Sequence, residues 1–318
     1  MVIPTRGDRP GPLREAVAAV LAQDYEGELA LVVVVDTTTT PGVAAVDAAA
    51  PGVVCAGPAG SCVAAADAAD LGLACGDAAV VVLPNTRTPG LPGARNTGIA
   101  ACDTDLVAFC DDDDVWLPGK LAAQVRALRD AGGEFASCGI EVAYGHRRVA
   151  RLAGAESITA DDLLRSRMVM VHSSTFLFVR GALWVDESAP AGQNEDWDLA
   201  LRAAKRRPIA HVDRPLVQVR WGGSHYVARW ADRIAGLDWM LARYPELAVD
   251  PRGAARVYGQ LAFSHAALGR RREAARWALR TFAARAAEPR APIALAVAAG
   301  LVSAPTVLSM LHNRGHGI

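Results

Sequence analysis

The chain has 318 residues, enough for one large domain or a domain with an appendage, and its 33 basic and 34 acidic side chains leave a formal net charge of -1. That balance speaks against a basic stripe for nucleic acid, and a hydrophobic share of 52% excludes a disordered composition. Six cysteines without a Cys-x-x-Cys pair, and seven histidines that do not cluster with them, exclude the usual patterns of a disulfide scaffold or a zinc site.

The first half alternates helix-like and strand-like runs. Leu13 to Gln23 places Leu13, Val17, Val20 and Leu21 on one side of a helix. Leu29 to Val35 is an unbroken apolar run ended by Asp36, as expected of a strand buried on both faces. Residues 41 to 77, rich in Ala, Gly and Pro, give no readable pattern. Ala79 to Leu83 and Leu106 to Cys110 read as further strands, with a helix over about Ala94 to Ala101 between them. Pro118 suits a first helical turn, and Leu121, Val125 and Leu128 follow in step. Strands alternating with helices predict an α/β fold with a mostly parallel central sheet covered on both faces.

The second half carries strand-like runs at Thr175 to Val179 and Leu216 to Arg220, with a helix from about Glu195 to Lys205 between them. Beyond His225 the pattern is helical. Val257, Leu261, Ser264 and Leu268 line one face, Gly269 breaks the run, and Ala274, Trp277, Ala278 and Phe282 line the next. From Ala291 to Leu311 there is no charged residue, but Pro292, Ser303, Pro305, Thr306 and Ser309 interrupt the run, which predicts two short packed helices rather than a membrane span. We therefore divide the chain into a domain over 1–226 and a helical C-terminal extension over 227–318. The extension reads as a cap on the main domain, with an acceptor- or partner-binding module as the alternative. Met1 to Arg6 has no charged stretch leading into an apolar one, so no signal peptide is expected. That points to a cytoplasmic protein, with peripheral membrane contact as the variant.

Asp111, Asp112, Asp113 and Asp114 follow the strand-like run at Leu106 directly. Four adjacent carboxylates repel one another unless a cation compensates them, and Mg²⁺ or Mn²⁺ takes one or two carboxylates while completing its shell with water and substrate phosphates. Ligands of open α/β sheets bind beyond the carboxyl ends of the strands, where this run falls. A solvated acidic turn is the plain alternative. Glu195 and Asp196 open a helix, a place that the helix dipole alone favours for carboxylates.

Leu106-Val-Ala-Phe-Cys-Asp-Asp-Asp-Asp-Val-Trp-Leu-Pro-Gly-Lys-Leu121 resembles the metal-binding segment of family 2 glycosyltransferases. Three more segments match that family in order: Val2-Ile-Pro-Thr-Arg6, Gly93-Ala-Arg-Asn-Thr-Gly-Ile99 and Asn194-Glu-Asp-Trp-Asp-Leu199. The resemblance covers roughly residues 1 to 225. It implies the GT-A nucleotide-diphospho-sugar transferase fold and an inverting transfer from a nucleotide-diphosphate sugar, with a UDP-sugar as the expected donor. Asp113 would be the principal metal ligand, joined by Asp111. Asp111 and Asp112 would sit by the ribose and the donor sugar, Asp36 by the base with Pro4 and Thr5, and Arg95 near the donor. Asp196 would be the general base and Glu195 its neighbour. The acceptor is open among a polysaccharide, a lipid-linked glycan and a small metabolite.

His172-Ser-Ser-Thr175 fits either the acceptor side or a structural role. Relatives often carry Arg-x-His where this chain has Arg220-Trp-Gly222, which leaves only His225 nearby, and Thr37 stands where a second acidic residue is common. Two other functions compete. A metal-dependent nucleotidyltransferase would need a Gly-rich loop with a lysine after the first strand, and residues 4 to 12 hold Gly7 and Gly11 but no lysine. A catalytically inactive sugar- or nucleotide-binding scaffold would not need the intact acidic run or Asp196.

Overall fold

The structure, a computed structural model, describes residues 1–36, 80–220 and 229–313. The stretch 41–77, Thr37, Gly222 and His225 lie outside the described residues.

Three runs rich in β-branched residues, β1 (Val2–Thr5), β2 (Leu31–Val35) and β3 (Val80–Pro84), pair in parallel in the order β1-β2-β3. Their β-branched side chains suit a pleated surface buried on both faces. Helix α1 (Pro10–Leu21) follows β1 and buries Leu13, Ala16, Val17 and Val20; of the stripe expected from the sequence, Leu21 at the last position is only partly buried, and Ala16 is added. Helix α2 (Leu91–Ala101) lies directly on β1. A Cβ at Gly98 would stand 2.2 Å from Val2 Cγ1, so only glycine lets the helix approach so closely.

A parallel bridge from Val2 to Phe109 joins this sheet to a second one. There the strands run β4 (Leu106–Ala108), β9 (Leu177–Val179), β6 (Phe135–Tyr144), β10 (Ile209–Arg220) and β5 (Val115–Trp116). β6 and β10 are parallel, while β9 and β5 run antiparallel to their neighbours. The short strands β7 (Arg147–Arg151) and β8 (Ser157–Ile158) pair with β6 and β10. β10 begins well before the expected Leu216. The register to β6 shifts around Pro215, whose missing N–H interrupts the ladder and hid the first half of the strand from the sequence pattern.

Helix α3 (Lys120–Asp130) starts two residues after Pro118, because Gly119 takes φ +77°. It buries the ammonium of Lys120 over the Trp116 ring at 3.7 Å, and burial lowers that lysine's pKa to about 8. Helix α4 (Ala160–Arg165) is capped by Thr159, and α5 (Glu195–Arg206) buries most of its length.

The C-terminal part is helical: α6 (Trp230–Arg243), α7 (Pro251–Ala267), α8 (Arg271–Ala284), α9 (Arg290–Ala298) and α10 (Ala304–Asn313). Ile234, Leu237 and Met240 of α6, with Val257 and Leu261 of α7, belong to the main hydrophobic core. A second, smaller cluster joins Ala262 and Phe263 to Ala278, Ala291, Ala294, Ala304 and Val307. The uncharged run from Ala291 is thus two helices, and α9 with nine residues spans about 14 Å, less than half a bilayer core. No helix among the described residues is long and apolar enough to cross a membrane.

Candidate functional site

Thr5 ends β1, Asp36 follows β2, and Asp111 to Asp114 follow β4 by way of Phe109 and Cys110. All stand at the carboxyl ends of strands, the edge where open α/β sheets bind ligands.

The four carboxylates of the run have different surroundings. Thr5 Oγ1 donates to Asp112 at 2.6 Å, and Arg9, at the start of α1, reaches across to Asp112 and Asp113 with its two terminal nitrogens. Burial pushes Asp112 up to about 6 against the pull of Thr5 and Arg9. Asp113 is also raised, by burial and by Asp111, with Arg9 opposing. Asp114 is buried and accepts from Ser174 Oγ at 2.6 Å; burial, then Asp113 and Asp111, lift it well above the carboxylate range. Asp111 differs. Burial favours its neutral form, but Arg95, His172 and the Ser173 hydroxyl outweigh that and hold its pKa low. A cluster in which three of four carboxylates resist ionisation is one that a cation would relieve.

Arg95 was expected near the donor. It is almost wholly buried, 2% exposed, and commits its guanidinium to Asp111 at 2.6 Å and to Glu195. Its plane also lies over the Phe109 ring, 5.6 Å from the centroid. Arg95 therefore ties the acidic run to the start of α5. Burial pushes Glu195 up to about 7, with Asp196 adding to the rise and Arg95 opposing it.

Asp196 is buried beside Glu195, and both of its oxygens accept from Arg167 Nη2 at 2.9 Å. Its Oδ1 accepts from the Trp197 backbone N–H as well. His172 lies between the two acidic sites. Its pKa is lowered by burial, and its Nε2 is buried without a hydrogen-bond partner among the described residues. Ligand atoms of Asp111, Asp114 and His172 fall within 4.8 Å of one another.

Asp36 takes a separate place, accepting from the Gly90 backbone N–H at 2.5 Å just before α2. Pro4 is buried in β1 opposite Val34. The structure thus brings Thr5, Asp111, Asp112, Asp113, Arg95, Glu195 and Asp196 into one connected network. Arg9 and Arg167, which complete it, were missed in the sequence. Arg9 sits in a Gly- and Pro-rich turn, where a single arginine carries no periodic signal. Arg167 reaches its partner across 29 residues. Ser173 and Ser174 were noted only as part of the ambiguous stretch at His172.

A cluster of carboxylates at the strand ends beside buried Glu195 and Asp196 has the parts for metal-assisted transfer chemistry, and comparison with known proteins narrows the class. A search of curated proteins by sequence finds no match. Among solved structures, S. aureus TarS 1-349 in complex with UDP-GlcNAc superposes with a TM-score of 0.55 at 12% identity, over 94% of this chain and 90% of that one. The mannosyltransferase PcManGT from Pyrobaculum calidifontis, in complex with GDP-Man and Mn²⁺, superposes with a TM-score of 0.52 at 18% identity, over 99% and 79%. At such identities the likeness shows the fold, which is the expected GT-A arrangement with added C-terminal helices. The family profile described as Glycosyl transferase family 2 matches residues 1–185, more than half of the chain and the part that holds β1, the acidic run and β9. With the acidic run inside that match and the fold shared over nearly the full length, the chain belongs to glycosyl transferase family 2.

Proposed function

We propose that this glycosyltransferase moves a sugar from a nucleoside-diphosphate donor, a UDP-sugar in the first instance, to an acceptor hydroxyl with inversion at the anomeric carbon. The observation that carries the reading is the buried Arg95 bridge, which joins Asp111 of the acidic run to Glu195, the neighbour of Asp196. One residue thereby links a donor side to a base on the acceptor side.

The residues present fit a divalent cation: hard oxygen donors in excess of nearby guanidinium groups, with raised pKa values that a cation would lower. Asp111 and Asp113 would hold it. Their side chains are 27% and 23% accessible, so an ion from solvent can reach them, whereas Asp114 is buried against Ser174. Bound there, Mg²⁺ or Mn²⁺ supplies compensation for charge growing on the leaving diphosphate. Asp112, with Pro4, Thr5 and Asp36, lines the nucleotide side.

Transfer forms the bond from the acceptor oxygen to the anomeric carbon and breaks the bond from that carbon to the diphosphate oxygen. Asp196 takes the acceptor's proton. With both oxygens held by Arg167, it has to lose one of those contacts before it accepts that proton. Glu195, itself held by Arg95, fixes the start of the helix on which Asp196 is the next residue. Residues 1–226 form the transferase portion, and 227–318 are a helical extension docked on it.

A thermal-shift panel of nucleoside diphosphates and nucleotide sugars, with and without Mn²⁺, tests the donor site on the wild type and on Asp113→Asn. A stabilisation that needs Mn²⁺ and disappears in the variant supports the reading and identifies the nucleotide. Absence of any nucleotide effect on the folded wild type with Mn²⁺ present would refute it.

A further inference from the structure

Helix α8 has two faces of opposite character. Ala274, Ala278 and Thr281 are buried against the neighbouring helices of the extension. On the other side Arg272, Arg276, Leu279, Arg280 and Ala283 are all exposed, and their positions i, i+4, i+7, i+8 and i+11 put them in a single stripe. Leu279, set between two of the arginines, is 68% exposed. Residues 270–285 hold six arginines against one glutamate. That residue, Glu273, stands 3.6 Å from Arg276, but both groups are exposed, so the pair is weak.

An apolar groove runs beside the stripe. Its volume is about 370 Å³, and it is lined by Val249, Pro251, Ala254 and Tyr258 together with Arg280 and Ala283 of α8. Val249 is 78% exposed. Because Arg280 and Ala283 belong to the stripe as well, groove and stripe form one continuous surface. The carboxylates closest to the groove in sequence are engaged elsewhere: Asp250 caps α7 and pairs with Arg165, and Glu246 pairs with Lys205.

The whole chain has a formal net charge of -1, so this positive surface is a local feature and not a reflection of overall charge. Guanidinium groups bind phosphate oxygens, and long arginine stems lie along apolar surface with their heads in the polar layer. Leu279, Val249 and the groove supply the apolar part that a purely ionic partner would leave in water. Arginines and bare aliphatic side chains on one helix face together match the boundary between headgroups and acyl chains.

We propose that α8 and the groove beside it dock the protein peripherally on a membrane of anionic phospholipid. The helix lies along the surface rather than entering it. At fourteen residues it is about 21 Å long, and its buried face is held by α7 and α9.

The test is flotation of the full chain with lipid vesicles, in EDTA so that no divalent cation bridges the acidic run to the lipid. Phosphatidylglycerol vesicles should carry the wild type, phosphatidylcholine vesicles should not, and high salt should weaken the binding. Arg272→Gln combined with Arg276→Gln should weaken it roughly 25-fold, from about fivefold for each arginine. Leu279→Ser and Val249→Ser should each weaken it at least threefold. Arg126→Gln combined with Arg129→Gln removes the same charge from exposed positions of α3 and should bind as the wild type does. All of these side chains are at the surface, and circular dichroism checks that each variant is folded. The inference falls if the wild type does not float with phosphatidylglycerol, or if the α3 pair matters as much as the α8 pair. It falls equally if neither aliphatic variant differs from the wild type. Binding of soluble polyglutamate in place of the vesicles would also overturn it, and would make the surface a site for an acidic protein.

Discussion

Two charged regions meet at Arg95, and they are balanced differently. In the acidic run, Asp111 to Asp114 crowd around Arg9 and one end of Arg95, and three of the four have raised pKa values. At the start of α5 each carboxylate has an arginine of its own, Glu195 the other end of Arg95 and Asp196 the fork of Arg167. A protein holds an imbalance like that of the acidic run at the expense of stability, and in the proposed function a cation would complete it.

The largest effect should come from Asp196. Replacing it with Asn removes the proposed proton acceptor while keeping its size, and transfer should fall by roughly a thousandfold, within the usual span for a general base. Nucleotide binding measured by thermal shift should persist. Retained turnover would move the base elsewhere and undo the division into two sides.

Arg95→Gln attacks the link itself. It strips Asp111 and Glu195 of a shared buried partner, and the cost should be about 3–5 kcal/mol in urea unfolding, the range for breaking a buried ion pair. A cost near zero would mean that the two sides are held together by packing alone.

A pH series on the metal-free chain sharpens the comparison further. Asp112 at about 6 and Glu195 at about 7 lie above their ordinary 3.8 and 4.5, so the folded chain binds more protons than the unfolded one between those values. Their contribution to stability is full below about pH 4 and is lost as the pH rises through 6 and 7. The urea midpoint should show that fall in EDTA, and Mn²⁺ should shrink it by favouring the ionised form of Asp112. An identical slope with and without Mn²⁺ would place the cation elsewhere.

Arg9→Gln should have the smallest effect and the opposite sign to the others. Arg9 compensates Asp112 and Asp113 in the absence of a cation, and less than a third of its side chain is exposed. Without it, Mn²⁺ binding followed by electron paramagnetic resonance should tighten by roughly fivefold, about 1 kcal/mol for a partly exposed pair. Weaker Mn²⁺ binding would make Arg9 a support of the site rather than a competitor.

Much of this molecule could be read from local pattern. The valine run of β2, the stripes of α1 and α7 short of their last members Leu21 and Leu268, the helix pair in the uncharged stretch after Ala291, and the place of Asp111 to Asp114 at the end of a strand all follow from the spacing of apolar residues and from backbone chemistry within a few positions. Where local chemistry was interrupted the reading failed, as at Pro215 in β10 and at Gly119 before α3. The charge pairing belonged to tertiary structure alone. Arg9 reaches Asp113 across 104 residues, Arg95 reaches Glu195 across 100, and Arg256 reaches Ser166 across 90. An ion pair has no period along the chain, and its partners are chosen by which elements the packed core brings side by side. The sequence by itself therefore determined which carboxylates stand at the strand ends, because backbone propensity and burial act over neighbouring residues. Only the packing of α1 and α2 around those strand ends decided which arginines meet them, because Arg9 and Arg95 reach their partners across the fold.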